Sequence, residues 1–65
     1  MTRFTYASGY KTRDAAEAAL EDMFAFDEVS ECERPKVEGY DAWVTPQAGK
    51  PLTIARRYCI TLLDA

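Results

Sequence analysis

Histidine and asparagine are absent from this chain of 65 residues. Without histidine, the imidazole-based acid–base catalysis and most metal sites of proteins are excluded. The two cysteines, Cys32 and Cys59, do not form a C-x-x-C pair, and a zinc site needs about four ligands. We therefore expect no metal, no cofactor and two buried free thiols in a reducing compartment, with a disulfide as the alternative.

Long apolar runs are also missing, so no segment is expected to span a membrane. Residues 1–6 contain no apolar signal core and no small-residue cleavage site, which predicts a cytoplasmic location. The length predicts a single domain over residues 1–65. A domain of this size buries only about 60% of its unfolded surface, so contact with a partner or a second copy would add to a thin stability margin.

The first half of the chain predicts a strand followed by a helix. Aromatic and polar side chains alternate over residues 3–8, which is typical of a half-buried strand, and Gly9 is expected to end it. Residues 13–26 are rich in Ala, Leu, Glu and Met, which favour helix, and Thr12 is a candidate N-cap. Most apolar residues of this helix, Phe26 included, fall on one half of its circumference, and Ala18 and Ala25 fall on the acidic half.

The second half predicts a short turn and a hairpin. Ser30 and Glu33 have the spacing of a capping box within the connection 27–35. Strands are predicted over residues 36–45 and 52–63, and the loop between them is too short for a parallel crossover. The fold class is therefore α+β: a single small β-α-β-β domain with a three-stranded antiparallel sheet and one amphipathic helix packed across one face.

Both hairpin strands alternate imperfectly. A bulge at Gly39 would place Val37 on the same face as Tyr40 and turn Trp43 to the opposite side. Arg56 interrupts the apolar parity of the last strand, so we expect either a bulge near it or a strand that starts after it. The first strand is expected to pair with the last.

The charges are strongly segregated. Eight carboxylates occur between residues 14 and 33 with no base among them, whereas the rest of the chain has eight bases and three acids, a net +5. We call these eight the acidic run: Asp14, Glu17, Glu21, Asp22, Asp27, Glu28, Glu31 and Glu33. If helical, this stretch carries about one charge per 4 Å, comparable to the spacing of about 3.4 Å along one DNA strand.

Stability alone does not require this run. The helix macrodipole favours Asp14 and Glu17 near the N-terminus but opposes acids near the other end. Three interpretations stay open: a solvated face that keeps the protein soluble, a face that docks on a basic groove of another protein, and a face that pairs with the basic sheet of a second copy. Trp43 is an additional candidate for partner binding, as a surface anchor.

No residue is a good candidate for catalysis. The paired carboxylates lie on the open side of a helix without a cleft, and acidic neighbours disfavour a thiolate at Cys32. Direct nucleic-acid binding is disfavoured by the net charge of −3 and because Arg56 and Arg57 point to opposite faces of a strand. We therefore expect a protein that acts by binding and has no enzymatic activity.

Residues 4–23, with 29–35 after them, resemble small accessory proteins of plasmids, integrative elements and phages in proteobacteria. These two segments read FTYASGYKTRDAAEAALEDM and VSECERP and cover about half of the chain. Some acidic proteins of that kind are anti-CRISPR proteins that occupy the DNA-binding surface of a type I surveillance complex. The resemblance implies a DNA-mimic inhibitor in the bacterial host cytoplasm. Its acidic helix would contact the Lys and Arg side chains with which a partner protein normally grips phosphates. A homodimeric structural or regulatory protein of a mobile element is the alternative.

Overall fold

The computed structural model describes residues 2–64. Its elements are strand β1 (Thr2–Tyr10), helix α1 (Arg13–Ala25), a one-turn 3₁₀ helix (Glu31–Glu33), strand β2 (Lys36–Val44) and strand β3 (Thr53–Asp64). The strands form one antiparallel sheet in the order β1-β3-β2. The predicted α+β class and β-α-β-β order are confirmed, as is the pairing of the first strand with the last.

Helix α1 begins and ends with identifiable caps. The Thr12 side chain accepts a hydrogen bond from the Ala15 backbone N–H at 3.1 Å, which confirms the predicted N-cap. At the other end, the Asp27 N–H donates to the Phe24 carbonyl and the Glu28 N–H to the Met23 carbonyl. This pattern is a Schellman motif, and it ends the helix one residue before the predicted limit.

The core lies between α1 and the central strand β3. Ile60 and Leu62 of β3 are 0% and 2% exposed and pack with Val29, which follows the helix. Each such side chain stabilises the fold by about 1.5–3 kcal/mol through removal of its surface from water. Ala16 is fully buried in the helix, and its small side chain allows close approach to neighbouring residues.

The two faces of the sheet follow from the register. Val37 pairs with Ile60 and Trp43 pairs with Ile54 without any shift between them. Trp43 therefore lies on the same face as Val37, the helix side, and the predicted bulge at Gly39 is wrong. Arg56 is likewise a regular residue of β3, opposite Asp41, so the bulge or late strand start predicted there is also wrong.

The irregular strand is β1. Its register with β3 shifts between Thr5 and Ala7 and again between Ala7 and Tyr10. Gly9 lies within the second shift with φ of 89°, a conformation that glycine adopts without steric strain. The strand thus continues past the glycine that was predicted to end it.

Part of the hairpin extends beyond the rest of the sheet. The last β3 residue paired with β1 is Tyr58, whereas β2 pairs with β3 as far as Thr53. Residues 40–44 and 53–57 therefore form a two-stranded extension, which we call the arm. It contributes to an elongated molecule with extents of 43 × 25 × 14 Å over the described residues.

The cysteines are both free. Cys59 is buried as predicted, but Cys32 is exposed on the 3₁₀ helix, where its sulfur lies 2.9 Å from the Ser30 hydroxyl. The predicted burial of Cys32 is wrong because this one-turn helix contributes no buried residue. Within residues 2–64, no helix has the length and apolarity needed to cross a bilayer.

Candidate protein-binding surface

The acidic run forms a largely solvent-exposed surface. Asp14, Glu17 and Glu21 are all exposed, and their spacing of three and four residues places them in one row along α1. Buried Ala16 marks the opposite, sheet-facing side of the helix. The other members of the acidic run lie in α1 and in the segment after it, and seven of the eight carboxylates are exposed while Glu33 is half-buried.

Bases of the same chain do not neutralise these carboxylates. In the described part of the chain, residues 2–64, the one ion pair joins Arg56 to Asp41 at 3.4 Å, and neither residue belongs to the acidic run. The exposed charges therefore keep their field in solvent, where it is screened over about 8–10 Å at physiological salt.

Two members of the acidic run accept hydrogen bonds from neutral groups. Glu33 accepts from the Ser30 backbone N–H at 3.0 Å, so the predicted link between these two residues is present. Glu28 accepts from the Tyr6 hydroxyl of β1, and this bond raises the pKa of that hydroxyl above its ordinary value of 10.0. Both contacts hold the segment after the helix in place without removing its charge.

Asp27 occupies a position that is unfavourable in two ways. Its φ of 58° is left-handed, at the helix C′ position where glycine is preferred. Its carboxylate also lies at the helix C-terminus, where the macrodipole disfavours negative charge. The last turn of α1 contains no base that would compensate. The sequence therefore has an acid at a point where local stability favours an uncharged glycine.

Exposed aromatic side chains lie beside these acids. Phe26 is 82% exposed and Phe24 is 37% exposed, both at the C-terminal end of α1. The prediction that Phe26 lies on the apolar half of the helix is wrong, because the left-handed residue Asp27 ends the helix there. No sequence signal marks this end, since an aspartate does not by itself specify the left-handed conformation.

Trp43 does not lie with the acidic run. It is 67% exposed, and along β2 it is six residues from Val37, the β2 residue packed on the core, or about 20 Å. Trp43 is thus a surface residue on the arm, although the bulge invoked to expose it does not exist. Tyr40 is half-buried on the opposite face, and its hydroxyl accepts a hydrogen bond from the Gly9 N–H at 3.0 Å.

The sheet face away from the helix, which we call the open face, contains a shallow cavity of about 320 Å³. It is lined by Thr5, Ser8, Glu38, Gly39, Tyr40 and Cys59. Among residues 2–64, no three Cys, Asp or Glu side chains are arranged to hold a metal ion. The residues singled out for binding lie outside this cavity, on the helix side.

Comparison of the chain with protein-family models, curated proteins and solved structures finds no match. The function is therefore inferred from the charge, shape and exposure of the chain itself.

Proposed function

We propose that this chain is a non-enzymatic binding protein whose acidic run docks on a basic, nucleic-acid-binding surface of a partner protein. The observation that carries the proposal is the lack of any ion pair to the acidic run within residues 2–64. A face that served the fold would be expected to pair some of its eight carboxylates with the eight bases of the same chain. Basic side chains on a partner would supply the positive charges that residues 2–64 do not pair with the acidic run.

The position of Asp27 supports binding over simple solubility. A solubilising carboxylate performs equally well anywhere on the surface, so nothing would hold it at a left-handed helix terminus. An acid that pairs with one particular Lys or Arg of a partner is useful only at the position that faces this side chain. The unfavourable placement of Asp27 is thus explained by an external contact.

The spacing of the charges favours a partner surface that grips nucleic acid. Asp14, Glu17, Glu21 and Asp22 place four charges within eight helical steps, or about one per 3–4 Å along the axis. The phosphates of one DNA strand follow each other about every 3.4 Å along the duplex axis, so basic side chains arranged to hold phosphates meet carboxylates at a similar axial interval. Such contacts accelerate association and select the partner by charge.

Apolar contacts would slow dissociation of the complex. Phe26 and Phe24 flank the carboxylates at the end of α1 and are the anchors in direct reach of a surface that meets the acidic run. A partner surface that reaches from the acidic run to the arm would also contact Trp43. Large aromatic residues commonly dominate binding energy in such interfaces.

The resemblance to accessory proteins of mobile elements indicates the class of partner. We propose a DNA-recognising subunit of a type I CRISPR effector complex in the cytoplasm of the bacterial host, blocked by occupancy and without turnover. The chain would need no cofactor for this activity and would not itself bind nucleic acid.

The test is a competition between this chain and target DNA. A purified type I effector complex with its guide RNA is incubated with matching duplex DNA, and DNA binding is measured as the wild-type chain is added. E17K/E21K reverses two exposed charges of the acidic run, whereas E38K/D64K changes net charge equally outside it. The proposal predicts that wild type and E38K/D64K displace DNA and that E17K/E21K loses at least about tenfold in potency. Equal potency of the two double variants, or no competition by wild type, would contradict it.

A further inference from the structure

The arm presents an apolar patch that no other part of residues 2–64 covers. Trp43 and Ile54 are 67% and 60% exposed, although they are directly paired on the helix side of the sheet. Leu52, just before β3, is 57% exposed. Exposed patches of large apolar side chains on small proteins commonly mark interaction sites. Helix α1 leaves this region free because its first residue, Arg13, already lies over Tyr58, where the arm begins.

The same arm face is bordered by positive charge. Arg13 has its guanidinium carbon 5.5 Å from the centre of the Tyr58 ring, and in residues 2–64 no carboxylate pairs with it. Arg56 lies two residues from Tyr58 along β3, on the same face of the sheet. Its side chain is 61% exposed despite its contact with Asp41. At Gly39 a Cβ atom would lie 3.3 Å from the Arg56 Nε, so the glycine leaves room for this guanidinium across β2.

The geometry points to a second copy of this chain as the occupant of the arm face. We propose a reciprocal dimer in which the acidic outer side of α1 of each copy packs on the arm of the other. The charges are complementary, since Glu17 and Glu21 would approach Arg56 and Arg13 of the second copy. The inference goes beyond the proposed function and does not rest on it.

The shapes also match. Five residues of extended chain give the arm a length of about 17 Å, and the 13 residues of α1 give about 20 Å. Helix α1 covers one half of the sheet and leaves the arm uncovered. Two copies related by a two-fold axis therefore fit together with both helices between the two sheets. A stable interface of about 800 Å² per partner would use about a sixth of the 4799 Å² surface.

The dimer would regulate access to the acidic run. Glu17 and Glu21 are covered in the dimer and exposed in the monomer, so a partner with a stronger basic groove competes with self-association. Single-stranded nucleic acid is the other occupant compatible with Trp43 beside Arg56, because bases stack on aromatic side chains. The acidic run lies near the same side of the sheet and repels phosphates, which favours the protein occupant.

Sedimentation of two charge-reversed variants and their mixture tests the dimer. R13E/R56E reverses the arm. Glu is favourable at the first helical residue, whereas a carboxylate at position 56 loses the exposed pair with Asp41 and faces that acid across the strands, at a cost of about 1 kcal/mol. E17K/E21K reverses the helix. At low salt we expect wild type to dimerise, each variant alone to lose at least about tenfold in self-association, and the equimolar mixture to recover a heterodimer. Circular dichroism verifies folding.

Several outcomes would overturn the dimer. The dimer is contradicted if wild type stays monomeric up to about 1 mM, or if either variant self-associates as strongly as wild type. It is also contradicted if the mixture of R13E/R56E and E17K/E21K stays monomeric. A mixture of R13E/R56E with E38K/D64K has the same net charges and should not form a heterodimer of equal strength. Binding of oligothymidine by wild type and its loss in R13E/R56E would assign the arm to nucleic acid instead. R13E/R56E keeps the acidic run, so its competition with target DNA tests the proposed function separately.

Discussion

Replacement of Asp27 by glycine should raise stability and lower partner affinity at once. The left-handed conformation at φ of 58° is strained for an acid by about 1 kcal/mol relative to glycine. Removal of a negative charge from the helix C-terminus contributes about 0.3–1 kcal/mol more. We therefore expect D27G to stabilise the chain by about 1–2 kcal/mol, which corresponds to a rise in Tm of about 7–15 °C for a domain of this size. Thermal denaturation followed by circular dichroism measures it.

The matched variant D27N separates conformation from charge. Asparagine has a Cβ atom and a branched side chain like aspartate, so D27N keeps the conformational cost and gains only the electrostatic part of about 0.3–1 kcal/mol. Both variants remove the same carboxylate and should weaken binding to the effector complex by a similar factor, about two- to fivefold. A D27G protein no more stable than wild type would refute the strain at this position. Greater stability with unchanged affinity would show that Asp27 is not in the interface.

Two further predictions concern the fold that positions this surface. The variant I60A removes a fully buried side chain and should lower the free energy of unfolding, measured by urea denaturation, by about 2–5 kcal/mol. The control I60V should lower it by about 0.5–1.5 kcal/mol. A loss below about 1 kcal/mol for I60A would contradict the described core. A thiol reagent should modify Cys32 rapidly in the native protein and Cys59 only after unfolding, because Cys32 is exposed and Cys59 is buried. Two rapidly modified thiols would contradict this placement.

The elements that could be predicted from the sequence are those set by local chemistry. Thr12 caps α1 because its hydroxyl lies three residues before a free backbone N–H, which depends on spacing alone. The antiparallel hairpin followed from the shortness of its loop. The segregation of charge is also a property of the sequence, and the structure adds that it is not cancelled within residues 2–64.

The features that were missed depend on tertiary geometry. The bulge predicted at Gly39 assumes that the apolar residues of β2 share one buried face. The strand is instead regular and extends beyond the helix, so Trp43 and Ile54 stay exposed. The real bulges lie in β1, where the sequence alternates well, because they depend on how that strand meets β3.

The exposure of Phe26 and Cys32 was missed for a related reason. Apolar residues were assigned to the core by residue type, whereas the turn after α1 decides which of them the core receives. Val29 is the one that enters it, at 3% exposure. A left-handed residue at position 27 reverses the chain one residue after Phe26, and this conformation is not specified by an aspartate.

The central claim is that the unpaired carboxylates of the acidic run bind a basic partner surface. The most direct measurement is the affinity of the chain for the effector complex between about 50 and 500 mM salt, with E17K/E21K and E38K/D64K measured in parallel. Affinity of wild type and E38K/D64K should fall steeply as salt increases, and E17K/E21K should bind weakly with a shallower salt dependence. Affinity that does not change with salt, or that E17K/E21K leaves intact, would contradict the claim.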